Sequence, residues 1–148
     1  MIILFSLICT AQENNLNDYK ASVEFVNSDT EGTVTVSAVG IGKKKFESTK
    51  DAARNAFFTL LFRGIPGSKY KSPLISNEAE FKNHPVILEI LNNGYVSFLS
   101  NSSVKSEIKK NKKEDGVKGI ETVNYFTINY DALRKYLEQK KVIRKFGI

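Results

Sequence analysis

The stretch Thr33–Ile65, TVTVSAVGIGKKKFESTKDAARNAFFTLLFRGI, decides how the rest of the chain is read. Its first nine residues alternate strictly. Val34, Val36 and Ala38 fall on one side and Thr33, Thr35 and Ser37 on the other, the period-2 pattern of a strand with one face on a core. A glycine-punctuated basic loop follows, Gly40-Ile41-Gly42 and then Lys43, Lys44 and Lys45. Beyond it, Ala52, Ala53, Ala56, Phe57, Leu60 and Leu61 recur at helical spacing. Ser48 or Thr49 is the expected cap, with Asp51 in the first turn beside the positive end of the helix dipole. The small residues predict a helix lying close on a sheet. Phe58 and Phe62 widen the apolar stripe until it needs a second cover, and the aromatic residues of this helix are all assigned to the core. Gly64 ends it, with Pro66 and Gly67 just beyond.

Upstream, Tyr19–Val26 reads as a strand, and Asn27–Gly32 is dense in turn formers, so the two strands form an antiparallel hairpin. Downstream, Gly67–Ser76 has no period and is expected to be loop, and Glu78–Phe81 starts a turn of helix. Asn83 is the expected cap of a short helix carrying Pro85 in its first turn and ending at Asn92–Gly94. Tyr95–Leu99 fits a strand start or a helix tail. Val104 and Ile108 share a face of the next strand, and Asn111–Gly119 is a charged hairpin turn. Ile120–Tyr130 returns as its partner, with Phe126, Ile128 and Tyr130 on one side. Asp131 is the expected cap of a last helix with the stripe Leu133, Tyr136 and Leu137, before an apolar end of Val142, Ile143 and Phe146. The order β-β-α-α-β-β-α predicts an α+β domain: an antiparallel sheet of about four strands with helices packed on one face.

A length of 148 residues predicts one domain with a core of its own. Apolar residues make up 41% and charged residues 26%, which argues against wholesale disorder. The net charge of +6 favours acidic surfaces, anionic polymers or anionic membranes as partners, although a basic balance also serves solubility alone. With one cysteine, Cys9, and one histidine, His84, neither a disulfide within the chain nor a multi-Cys or multi-His metal site can form, and no cofactor is expected.

Met1–Ala11, MIILFSLICTA, is too short an apolar run to span a bilayer as a helix. It fits the apolar core of a secretory signal peptide ending at small Ala11, although no Lys or Arg follows Met1 and the same run would also make a buried strand. The expected organisation is a leader over 1–11, a loose polar segment over 12–18 and a single domain over 19–148, in a periplasmic or secreted protein. Cys9 is a candidate for lipidation and outer-membrane anchoring, but bulky Ile8 before it is a poor match to a lipoprotein signal.

Candidate chemistry is sparse. The Gly40-Ile41-Gly42 loop stands where a phosphate cradle would, between strand and helix. Lys45 occupies the third glycine of the dinucleotide fingerprint, and Ser37 the first glycine of the Walker pattern. A glycine bend leaving a strand accounts for it. Ser68 lacks the flanking glycine of a nucleophile elbow, and His84, before Pro85, is expected as a surface or capping residue. Two lysine clusters are the candidate contacts for an anion or partner: Lys43, Lys44 and Lys45 in the loop, and Lys109, Lys110, Lys112, Lys113 and Lys118 about the hairpin turn. In the second, Glu114 and Asp115 interrupt the charge and the nearest aromatic is Tyr125; lysines there also protect strand edges.

The run VTVSAVGIGKKKFESTKDAARNA resembles two small envelope domains, the LPP-twenty-like lipoprotein family and the N-terminal domain of flagellar assembly protein T. The likeness lies in Val34, Val36, Gly40, Gly42, Ala52, Ala53 and Ala56, and the closing VNYFTINYDALRKYLEQKKV fits the same pattern. The resemblance implies an exported bacterial envelope protein with a helix-on-sheet fold and no known active site. Such a protein acts through contacts with other envelope proteins and is not an enzyme. The alternative from the residues themselves is a polyanion- or nucleic-acid-binding module working through the two lysine clusters.

Overall fold

The computed structural model describes residues 23–101, 107–110 and 119–145; the expected leader over 1–11 with Cys9, residues 12–22 and the turn lysines Lys112, Lys113 and Lys118 lie outside them. Strand β1 (Val23–Asn27) pairs antiparallel with β2 (Thr33–Gly42), and the turn between them closes at Gly32, whose φ of +77° is a left-handed conformation that suits glycine. The alternation in β2 is realised from Val34 onward: Val34, Val36 and Ala38 are fully buried and Thr35 and Ser37 half-buried, whereas Thr33, expected on the open side, is buried with its hydroxyl donating to Thr30 O in the turn. Helix α1 (Lys45–Phe62) crosses this buried face, and Ala52, Ala53, Ala56, Phe57, Leu60 and Leu61 are all at most 1% exposed. Gly64, at φ +77°, ends it by donating its N–H to Thr59 O.

The second cover expected for α1 is built from the middle of the chain. Short α2 (Glu78–Phe81) leads to α3 (Pro85–Asn92), a 3-10 turn (Gly94–Phe98) and β3 (Leu99–Asn101). Ile87, Ile90 and Leu91 are buried with the α1 stripe, and the Phe57 and Tyr95 rings meet at 5.7 Å. Each such side chain taken out of water contributes about 1.5–3 kcal/mol. The loop before α2 is pinned by Ile75, whose N–H donates to Leu61 O, and by Tyr70 stacked on Tyr130 at 3.9 Å.

Strand β5 (Ile120–Asn129) lies between β2 on one side and β3 and β4 (Glu107–Lys110) on the other, all antiparallel. The strand path is β1-β2-β5-β3, with β4 pairing β5 further along, so the sheet is about four strands wide, as the alternation predicts. Phe126 and Ile128 face the core, and helix α4 (Tyr130–Gln139) closes it with buried Leu133 and Leu137. The α+β architecture with helices on one face of an antiparallel sheet is the one the sequence order implies.

Three helix starts differ from the sequence reading. Helix α1 begins at Lys45 rather than after Ser48, because the Ser48 hydroxyl is taken by the sheet: it donates to Gly40 O at 2.7 Å and lies 2.6 Å from Thr122 Oγ1. Its first-turn acid is therefore Glu47, and Asp51 lies further in. His84, not Asn83, caps α3 through Nδ1, which accepts from Val86 N with Pro85 at the first helical position. Asn129, not Asp131, caps α4, accepting from Ala132 N, so Tyr130 belongs to the helix rather than to the strand face of Phe126 and Ile128.

Candidate binding surface

The glycines of Gly40-Ile41-Gly42 have a packing role. A Cβ at Gly40 would fall on the Ser48 carbonyl and the Ala52 N, and one at Gly42 would lie 2.6 Å from Ser48 N. The first turns of α1 therefore lie directly on the backbone of β2.

Beyond Ala38 the outer edge of β2 is no longer paired with described residues of β1, and α1 supplies its hydrogen bonds. Asn55 Nδ2 donates to Val39 O at 3.0 Å, Ile41 N donates to Asp51 Oδ2 at 2.9 Å, and Lys43 N donates to Glu47 Oε2 at 3.0 Å. The match is geometric. Four residues of helix rise about 6 Å, and two of strand about 6.8 Å, so positions 47, 51 and 55 track 43, 41 and 39. A phosphate cradle is ruled out at this loop, since two of its backbone donors already serve carboxylates whose charge repels an anion there.

Burial raises the Asp51 carboxyl above its ordinary pKa, against the lowering effects of the Ile41 N–H and of Arg54. A raised carboxylate pKa means that the folded protein takes up the proton before the unfolded chain does. Stability from this group therefore rises as pH falls through the raised value toward the ordinary one, and is lowest at neutral pH. Asp51→Asn, which keeps an acceptor for Ile41 N–H, is expected to be at least as stable as wild type at pH 7, with its advantage shrinking in acid. Asp51→Ala loses the acceptor and is expected to cost about 1 kcal/mol in acid and less at pH 7, where the buried charge it removes is itself unfavourable. Urea midpoints across pH check both.

The register assembles the lysines. Gly42, the last residue of β2, is opposite Ile120, and Ile120 is opposite Lys110. Two strand spacings, about 10 Å, therefore separate the backbone entering Lys43–Lys45 from that of Lys110. Lys43, Lys44 and Lys45 are exposed, and Lys109 and Lys110 end β4 at the same end of the sheet. The connecting segment with Lys112, Lys113 and Lys118 lies outside the described residues.

Phe46 is a residue to which the sequence reading gives no role, since that reading starts the helix after Ser48. The structure places it in the first turn of α1, 76% exposed. The close approach of α1 to β2 stops at Glu47 and Ser48 over Gly42, where β2 ends, so position 46 has no strand beneath it. Ile41, at the same end, is 47% exposed.

The other candidates have local structural tasks. Ser68 Oγ donates to Ile65 O and accepts from Tyr70 N, holding a turn. His84 is the cap of α3, its ring 5.9 Å from Phe81. Among the described residues, no three His, Cys, Asp or Glu side chains are grouped to hold a metal ion, and no helix is long and apolar enough to cross a membrane. A cavity of about 210 Å³ lined by Glu89, Ile90, Gly94, Ser97, Phe98 and Tyr136 is smaller than the usual small-molecule site. No protein-family model, curated protein or solved structure matches the chain.

Proposed function

We infer that this is a non-catalytic binding domain whose working surface is the lysine-lined end of the sheet, and that it functions by contact with an anionic partner. The observation that carries the reading is the row Gly42–Ile120–Lys110, which puts the backbone of Lys109 and Lys110 at the end of the sheet from which Lys43–Lys45 depart. The net charge of +6 acts in the same direction. Heparin serves as the test polyanion. Wild type is expected to be retained at low salt and to elute over a narrow salt range, and Lys43→Glu/Lys44→Glu/Lys45→Glu to bind at least about tenfold more weakly. Equal retention of the two proteins would remove the reading.

The setting we propose is the bacterial envelope, where an acidic envelope protein would meet the same surface. Support comes from the apolar run Ile2–Cys9 and from the likeness of 33–56 to small envelope domains. Protein recovered from an envelope or secreted fraction is then expected to begin at Gln12, read as its intact mass. A lipid-sized addition at Cys9 would make it an anchored lipoprotein, and an unprocessed cytoplasmic mass would remove the envelope setting.

A further inference from the structure

We propose that the lysine-lined end docks on the surface of an anionic phospholipid bilayer, with Phe46 as the side chain that enters the interfacial layer. The proposal rests on the reading of that end as the working surface and adds the chemistry of the partner. An exposed phenylalanine at the end of a run of three lysines is costly in water and has no packing task among the described residues: at 76% it is the most exposed of the large apolar side chains described. Lys43, Lys44 and Lys45 directly precede it, and the acids nearest in sequence are turned to the backbone, Glu47 to Lys43 N and Asp51 to Ile41 N. What projects is thus an apolar ring beside ammonium groups on long stems. Such an arrangement suits a bilayer surface, where the ring reaches the headgroup–acyl boundary and the lysines stay among the anionic headgroups.

The second exposed apolar residue at this end favours lipid over nucleic acid. Ile41, 47% exposed, has no π face on which a base could stack, but it adds apolar area that a bilayer can take up. Single-strand binders lay successive bases on several aromatic rings. Here Tyr125 is opposite Ser37, well up β5 from the Ile120 end, and half-buried.

The chain contains no tryptophan, so Phe46→Trp places a single fluorescent reporter at the point of insertion. On vesicles of phosphatidylglycerol and phosphatidylcholine its emission is expected to shift to the blue, and on phosphatidylcholine alone or with heparin to stay put. In sedimentation with the mixed vesicles, Phe46→Ser is expected to bind about tenfold or more weakly than wild type. It should still elute from heparin at the wild-type salt concentration and unfold at the wild-type urea midpoint, since the ring is outside the core. Full vesicle binding by Phe46→Ser, or an unshifted tryptophan, would overturn the lipid proposal while heparin retention keeps the lysine reading. Retention on heparin or single-stranded DNA without binding to vesicles would overturn it in favour of a polyanion partner. Loss of both kinds of binding in the wild type would remove both readings.

Discussion

Gly40→Ala is expected to cost about 3 kcal/mol or more. The new carbon would coincide with the Ser48 carbonyl and the Ala52 N, and would stand 2.8 Å from the Ala52 methyl. Two of these neighbours are helix backbone, which cannot rotate away as a side-chain tip can. The alternative is to lift the start of α1 from β2. That movement would also strain the bonds from Asn55, Asp51 and Glu47 to the edge of β2 and open the contact made by Ala52, Ala53 and Ala56. Gly67→Ala is the control. Its φ of +86° penalises a side chain by about 1–2 kcal/mol, but its nearest neighbour would be Phe25 at a comfortable 3.8 Å. Urea unfolding should therefore place Gly40→Ala well below Gly67→Ala in stability. The reverse order would mean that helix and strand are further apart than the structure has them.

What the sequence makes legible here is whatever is decided by local pattern. Val34, Val36 and Ala38 alternate because one face of β2 is buried, and the alanine spacing in α1 records how near the sheet it lies. Gly64 could be read as a helix stop because the left-handed end conformation suits glycine. The errors fall where a tertiary partner outbids a local one. Ser48 has the chemistry of a cap, but the groups that engage it, Gly40 O and Thr122, are 8 and 74 residues away. His84 and Asn129 take the caps offered by Asn83 and Asp131, one residue off in the first case and two in the second, within the usual uncertainty of helix ends.

The candidate surface was half legible for the same reason. Composition exposes each lysine cluster, but only the pairing of Gly42 with Ile120 and of Ile120 with Lys110 brings Lys109 and Lys110 to the end where Lys43–Lys45 begin. Phe46 is missed because the sequence reading starts the helix after Ser48 and leaves position 46 in the loop, and periodicity alone would not set it apart. It lies seven residues before Ala53, nearly on the same helical line as a residue 1% exposed. What separates them is where β2 ends, a property of the sheet and not of the helix.

Ser48→Ala is expected to cost about 2 kcal/mol, and its effect should be shared with Thr122. The Ser48 hydroxyl is fully buried and its single proton goes to Gly40 O at 2.7 Å. The 2.6 Å contact with Thr122 must then be Thr122 donating to Ser48, and Thr122 Oγ1 in turn accepts from Asn124 Nδ2 at 2.8 Å. The relay runs one way, from Asn124 through two hydroxyls to a backbone carbonyl, and leaves Asn124 Oδ1 buried with no hydrogen-bond partner. Removing the Ser48 oxygen leaves the fully buried Thr122 hydroxyl without its acceptor. Thr122→Val removes the same bond from the other side, so the double variant should lose less than the sum of the singles, by about 1 kcal/mol in a double-mutant cycle. Strict additivity would show two independent hydroxyls and remove the relay. Coupling would explain why a helix this rich in alanine still settles in one register on the sheet: shape brings α1 close, and the buried hydroxyls of Ser48 and Thr122 select where along β2 it rests.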